Sequence, residues 1–428
     1  MNGDGSPGSA AALAAQLTRE GHLAPAWRDA FAQVDRARFL PDRIWVRGGS
    51  RGEAPGEGGY HPVDRAADPA RWHTLAYEDR ALVTHVEDPH LTDDGTETAR
   101  VPVSSASMPR IVARMLDALD IDRDVAGTDS VSAGGTGTNG IRVLEIGTGT
   151  GYNAALLSHR LGDRNVVSVE VDPRIADTAR ANLKAAGHAP TVHTGDGTQG
   201  ASAYAPYDRT IVTCALHTVP HALVEQTAPG GVIVLPWGTG LYNGVLLRLT
   251  RTTDPATTDP ATASGPVIGD SAFMWNRGEI PHRDVMATVR AHPATGTAPA
   301  ATGLDPRAVF GDEDATFTAG VLVPGCRYSV GHGPEGEFTL WLADHATGSW
   351  AGVDYVPGAG THPLQQHGPR ALWDEVREAY GWWRRAGSPA RTRYGLTVTP
   401  THQYVWLDTP NHPVSRPMDR TAPVCDGH

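Results

Sequence analysis

The stretch Val143–Tyr152, VLEIGTGTGY, runs an apolar segment into Gly147, Gly149 and Gly151 ahead of a helical pattern. Glycine lets a backbone turn sharply and approach a ligand closely, as it does at nucleotide sites on the carboxyl ends of parallel strands. A GxGxG string alone is weak; a plain tight turn is one alternative, and a dinucleotide site, whose GxGxxG spacing differs, is another. Two acids downstream favour the nucleotide. Glu170 ends the next apolar run, VVSVEVD, where a carboxylate can accept from both hydroxyls of a ribose. Asp196 follows the third run, in TGDG, where it can accept from an adenine amine. The cysteines Cys214, Cys326 and Cys425 lie far apart without CxxC spacing, and the histidines show no ligand spacing, so neither a disulfide framework nor a metal site is expected.

The elements that must position these residues follow from periodicity. Between Arg142 and Leu235 short apolar runs alternate with helical segments, which predicts parallel strands covered on both faces, a doubly wound α/β domain. Upstream, apolar residues from Leu13 to Val34 predict two amphipathic helices, and Met108–Leu119 predicts a helix starting just after Ser107, with Pro109 in its first turn. Arg47–Gly59, Asp88–Arg100 and Asp124–Gly140 read as loops or insertions. Leu241–Thr250 and Val267–Trp275 read as strands. Beyond about Pro281 the pattern changes to strands at Phe317–Val323, Phe338–Leu342 and Gly352–Tyr355, a strong helix at Arg370–Arg385, and strands at Leu396–Thr399 and Tyr404–Leu407. The expected division is a domain over residues 1–280, whose first 75 residues are helical, and an α+β domain over residues 281–428.

The composition sets bounds. With 428 residues, 40% hydrophobic and 20% charged, the chain is long enough for two globular domains. No apolar run approaches the ~20 residues of a membrane span, and no secretory signal pattern opens the chain, so a cytoplasmic location is expected. The charge, 36 − 48 = −12, repels phosphate backbones and anionic lipid, and no nucleic-acid or membrane partner is expected.

VLEIGTGTGYNAALLSHRLG, VVSVEVDP, GDG at Gly195–Gly197 and PYDRTIVTCALHTVP resemble, in order and at fitting distances, the protein-L-isoaspartate O-methyltransferase family. AYEDRAL, SMPRIVARM and FAQVDRARFLPD extend the likeness over roughly residues 25–280. The resemblance implies a class I, Rossmann-like fold binding S-adenosylmethionine and releasing S-adenosylhomocysteine. Carried over by position, Glu145, Gly147, Gly149 and Gly151 line the methionine and ribose, Thr148, Tyr152 and Asn153 are cofactor-binding candidates, and Ser104 and Ser105 lie near the methionine end. Glu170 then holds the ribose, and Asp196 with Gly197 meets the adenine. Ser107 matches the serine regarded as the family's active-site residue; a helix cap is the alternative. Where repair members usually follow that serine with proline and an aromatic or histidine, this chain has Pro109 and Arg110. Arg110 is either a clamp for a substrate carboxylate or a solvated helix arginine, and His217 and His221 are candidates for touching substrate.

Repair enzymes of the family are compact, whereas this chain carries a second domain. In that respect it resembles larger members that methylate an aspartate of a ribosomally made, cyclised peptide (lanthipeptide, lasso peptide or graspetide), whose ester closes to a succinimide that persists or opens to isoaspartate. That peptide-tailoring role, with a modified precursor peptide as partner, is the favoured reading. Isoaspartyl repair, methylation of another small acid, and a non-enzymatic S-adenosylmethionine-binding scaffold are the alternatives.

Overall fold

The computed structural model describes residues 8–47, 60–87, 101–122, 140–252, 261–279, 285–293, 300–415 and 418–419. The loops and insertions read at 48–59, 88–100 and 124–139 lie outside the described residues. Two compact units emerge: Met1–Cys214 with Pro220–Leu235 and Thr250–Ala261, and Ala215–Val219 with Pro236–Leu249 and Thr262–His428.

The first unit opens with the two expected helices, α1 (Ala10–Arg19) and α2 (Arg28–Gln33), α1 being capped by the Ser9 hydroxyl accepting from Ala12 N–H at 3.2 Å. The helical reading of residues 1–75 then needs correction. β1 (Arg43–Arg47) and β2 (Tyr60–Asp64), with β3 (Leu82–Glu87) and β4 (Val101–Ala106), form an antiparallel sheet of order β2-β1-β3-β4. Ile44, Val46 and Val63 point into a core with Trp72, Leu75, Leu82 and Ala106. A period-two pattern carried by two buried positions in β1 and one in β2 is too short to read in a sequence. Helix α3 (Pro69–Tyr77) precedes β3, and α4 (Pro109–Ala118) follows β4.

Next come β5 (Val143–Ile146), α5 (Tyr152–Leu161), β6 (Val166–Glu170), α6 (Pro173–Ala185), β7 (Thr191–Thr194), β8 (Tyr207–Val212), α7 (His221–Gln226) and β9 (Thr227–Gly238). β5 pairs in parallel with both β6 and β8, β6 with β7 and β8 with β9, giving the order β7-β6-β5-β8-β9. All residues of β5 and β6 are buried, which is why they read as continuous apolar runs. Strand order reverses at β5, so the carboxyl ends of β5, β6 and β8 border the place where an open α/β sheet takes its ligand.

After β9 come β10 (Asn243–Arg251), most of it in the second unit, and β11 (Ala263–Asp270), then α8 (Val285–Ala291), β12 (Ala300–Thr302), α9 (Pro306–Phe310) and α10 (Glu313–Leu322). Strands β13 (Arg327–His332), β14 (Phe338–Asp344), β15 (Ser349–Tyr355) and β16 (His362–His367) join β12 in a sheet of order β12-β16-β15-β14-β13. Helix α11 (Leu372–Arg385) covers it with Leu372, Trp373 and Val376, which pack among Leu340, Leu342, Ala351 and Val353. β17 (Tyr394–Val398), β18 (His402–Leu407) and β19 (Met418–Asp419) end the unit.

Two sequence expectations change here. Phe317–Val323, read as a strand, lies almost wholly in α10, because the Asp312 carboxylate caps the N–H groups of Asp314 and Ala315 at 2.9 and 3.0 Å. The segment is buried nearly all round, and an apolar run of that kind has no period to separate helix from strand. Residues 262–280, expected in the first domain, fall in the second unit, because β11 pairs antiparallel with β17 from Ala263↔Val398 to Pro266↔Gly395.

Candidate functional site

The loop after β5 is shaped by glycine. Gly147, Gly149 and Gly151 have φ of 91°, 53° and 91°, the left-handed region that side chains disfavour. The N–H groups of Gly147 and Thr148 both donate to Val169 O, at 2.8 and 3.2 Å. A Cβ on Gly147 would lie 2.5 Å from the Thr213 hydroxyl oxygen, which itself donates to Gly147 O (2.7 Å) and Ile146 O (3.1 Å). At Gly149 the packing is looser: a Cβ there would make only ordinary contacts, with Ser104 Oγ at 3.8 Å and Ser105 O at 3.9 Å. The middle glycine of the loop therefore lies against the end of β4.

Glu170 closes this arrangement. One carboxylate oxygen accepts Gly149 N–H at 2.9 Å and the other accepts Asp172 N–H at 3.2 Å. A carboxylate has about four acceptor sites, so two remain for a pair of vicinal hydroxyls. Asp196 is exposed, and its oxygens accept the backbone N–H (2.9 Å) and hydroxyl (2.7 Å) of Thr198, again with acceptor capacity left. Gly197 packs so closely that a Cβ would sit 2.5 Å from Ile146 Cγ2 at the end of β5. A bare glycine loop, an acid with two spare lone pairs and a second acid one strand further suit a purine nucleoside carrying a free ribose diol.

Glu145, Thr148, Tyr152 and Asn153 turn their side chains inward. Glu145 is fully buried and accepts from the Ser168 hydroxyl and from Asn153 Nδ2 (2.7 Å), while the Thr148 hydroxyl pairs with that of Ser168 at 2.6 Å. Burial pushes the Glu145 carboxyl up to about 7, and the charge of Glu170 adds to the rise. Tyr152 is buried against the rings of Phe31 and Phe39, and burial raises its phenol well above the usual range. These side chains brace the loop.

Ser107 is half-buried between β4 and α4. It does not cap the helix, since the N-cap position is Met108, without a side-chain bond. The helix is capped from afar: Asp79 accepts Arg110 N–H at 2.8 Å and also binds Arg110 Nε. Asp79 is 5% exposed and the Arg110 side chain 49%, so Arg110 is a tethered, partly exposed cation rather than a freely solvated one. Ser104 is buried and accepts from the Thr84 hydroxyl at 3.1 Å, and Ser105 lies opposite Val83 in the sheet. Beneath this segment Arg36 is fully buried, its guanidinium donating to the carbonyls of Ala76, Glu78, Arg80, Ala106 and Ser107.

The two histidines are held separately. In the first unit His221 Nε2 meets Ala261 O at 2.6 Å and Nδ1 lies 3.2 Å from Glu225. In the second unit His217 Nδ1 meets Gly238 O at 3.0 Å, and its ring stacks on Trp237. There Glu279 accepts the N–H groups of His217 and Thr218 at 2.8 and 2.9 Å, and burial raises its carboxyl. Among the described residues no three His, Cys, Asp or Glu side chains gather as a metal would require, and no helix is long and apolar enough to cross a membrane.

Arg36, Asp79, Ser168 and Thr213 are absent from the sequence-derived candidates. Arg36 and Asp79 lie inside FAQVDRARFLPD and AYEDRAL, so the resemblance marked their segments, but no spacing links them to Ser107 or Arg110.

Residues 68–264 match the family described as Protein-L-isoaspartate(D-aspartate) O-methyltransferase. A protein-L-isoaspartate O-methyltransferase of Methanosarcina mazei is 38% identical over 147 residues, which are 34% of this chain and 53% of that protein. One from Roseiflexus castenholzii is 39% identical over 180 residues, 41% of this chain and 73% of the relative. A solved protein-L-isoaspartate O-methyltransferase structure aligns with 94% of this chain and all of its own at 19% identity and a TM-score of 0.48. The chain thus spans about half the length of the M. mazei relative and nearly three quarters of that from R. castenholzii.

Proposed function

The chain belongs to the protein-L-isoaspartate O-methyltransferase family, with its doubly wound class I methyltransferase fold, and from that premise we propose that it methyl-esterifies an isoaspartyl carboxylate in a peptide or protein, using S-adenosylmethionine. The observation that carries the reading is the pairing of Gly149 with Glu170, against Ser104 and Ser105, which lie three and two residues before Ser107. When bound, the cofactor's sulfonium supplies an electrophilic methyl group that an anionic carboxylate oxygen can take directly.

Glu170 holds the ribose diol through its two spare acceptor sites, Asp196 accepts from the adenine amine, and the bare backbone at Gly149 admits the nucleoside's approach. The Ser107 hydroxyl donates to one oxygen of the acceptor carboxylate and orients the other. A carboxylate with an ordinary pKa of ~4 is already ionised at neutral pH, so the chain needs no general base and works by positioning. The ester is then open to attack by the next backbone amide nitrogen, which displaces methanol and closes a succinimide.

A second reading rests on the second unit, most of which lies beyond the matched residues 68–264. It is the tailoring of one aspartate in a ribosomally made, cyclised peptide, with the second unit gripping that partner. The isoaspartyl substrate stands first because the relatives described above carry that name. Mass spectrometry of methyl transfer to a linear isoaspartyl hexapeptide, a linear precursor and a cyclised precursor separates the two, loss of methanol from the ester marking imide formation. Efficient turnover of the hexapeptide, with no preference for either precursor, supports isoaspartyl esterification. Turnover confined to the cyclised peptide supports tailoring, and no transfer to any carboxylate overturns both.

A further inference from the structure

Arg36 is fully buried, and among the described residues no carboxylate hydrogen-bonds it. Its guanidinium serves five backbone carbonyls instead: Nη1 donates to Ala76 O (3.0 Å) and Glu78 O (3.3 Å), and Nη2 to Arg80 O (3.0 Å), Ala106 O (3.2 Å) and Ser107 O (3.1 Å). Burial lowers its pKa to about 10, which leaves it a cation at neutral pH.

The last two bonds orient the backbone at the candidate catalytic serine. In a planar trans peptide the C=O and the following N–H point in opposite directions. With the carbonyls of Ala106 and Ser107 both drawn to Arg36, the N–H groups of Ser107 and Met108 both point away from it. Among the described residues neither N–H donates to a backbone acceptor, and the Ser107 hydroxyl has no partner. Three unspent donors thus sit on two consecutive residues, an arrangement that suits an anion.

We propose that Arg36 is the positioning residue of the acceptor site, holding the carbonyls of Ala106 and Ser107 so that the N–H groups of Ser107 and Met108, with the Ser107 hydroxyl, receive the substrate carboxylate. The inference rests on the carboxylate-esterification reading above. Only a planar fork can reach five carbonyls on two segments; a lysine ammonium carries the charge but has three donors and no fixed geometry. Since the carboxylate loses charge as it becomes an ester, donors aimed at it hold the ground state at least as well as the transition state, and their loss falls on KM.

The test compares Arg36→Lys and Arg36→Gln with wild type in three measurements: steady-state methylation of an isoaspartyl hexapeptide, S-adenosylmethionine binding by calorimetry, and thermal melting. The expected result is a peptide KM raised about tenfold in Arg36→Lys and further in Arg36→Gln, with cofactor affinity held within about twofold and kcat at saturating peptide little changed. A wild-type KM in both variants, a parallel loss of cofactor affinity, or failure of both variants to give soluble protein would make Arg36 a structural pillar and overturn the proposal. An active wild type with unmoved variants removes this inference alone, whereas a wild type that methylates no peptide removes the proposed function and this inference with it.

Discussion

The Glu170 carboxylate accepts the Gly149 N–H at 2.9 Å, tying the end of β6 to the middle of the glycine loop. One carboxylate thereby holds the loop and keeps spare acceptor capacity, which the proposed function gives to a ribose. Glu170→Ala removes charged hydrogen bonds of ~1.5–3 kcal/mol each, so S-adenosylmethionine affinity is expected to fall by at least about tenfold. Unchanged binding in a calorimetric titration would remove Glu170 from the cofactor site.

Ser107 precedes the N-cap position of α4 and makes no cap bond, so Ser107→Ala has little to disturb in the helix. The variant is expected to melt close to wild type and bind cofactor normally, while kcat/KM for the peptide drops. A kcat/KM equal to wild type would leave Ser107 without a role in the reaction.

Asp79 supplies the cap that Ser107 does not. Asp79→Ala strands the Arg110 N–H and frees the Arg110 side chain, at a cost of ~1–2 kcal/mol by analogy with lost N-caps. Asp79→Asn keeps an acceptor for the N–H and is expected to lose less. Denaturant unfolding would show the order wild type, Asn, Ala; equal midpoints would mean that α4 does not depend on this contact.

Glu145 gives stability a pH dependence of known sign. Its carboxyl is raised by burial from 4.5 to about 7, so between those values the folded chain holds a proton that the unfolded chain has released. Its contribution is therefore most favourable below pH ~4.5 and is lost as pH rises through about 7. Glu145→Gln, neutral throughout and able to accept from Asn153, removes that slope. The melting temperature of the variant minus that of wild type is expected to grow from pH 5 to pH 8; a constant difference would place the titration elsewhere.

Much of the glycine loop and its acid partner was legible because it is local. Three glycines after one apolar strand, an acid ending the next and an acid after the third are contiguous patterns, and the structure puts Gly149 against Glu170 where those patterns run together. Side-chain direction within the motif was not legible. Glu145, Thr148, Tyr152 and Asn153 share the string with the glycines, yet their side chains face the interior.

Periodicity, glycine and charge are properties of neighbouring residues, and by itself the sequence determined what they encode: the parallel α/β sheet, the glycine turn after β5 and the acids at the ends of the next two strands. What the tertiary structure decided depends on residues the chain brings together over long separations. Arg36 reaches Ala106 and Ser107 across 70 and 71 positions, and Asp79 reaches Arg110 across 31. β11 takes β17 as its partner and so draws residues 262–280 into the second unit. The buried run at Phe317 lies in a helix whose first turn Asp312 caps. No local pattern marks such pairings, because hydrogen bonds between distant segments exist only once the backbone path has placed donor and acceptor within reach.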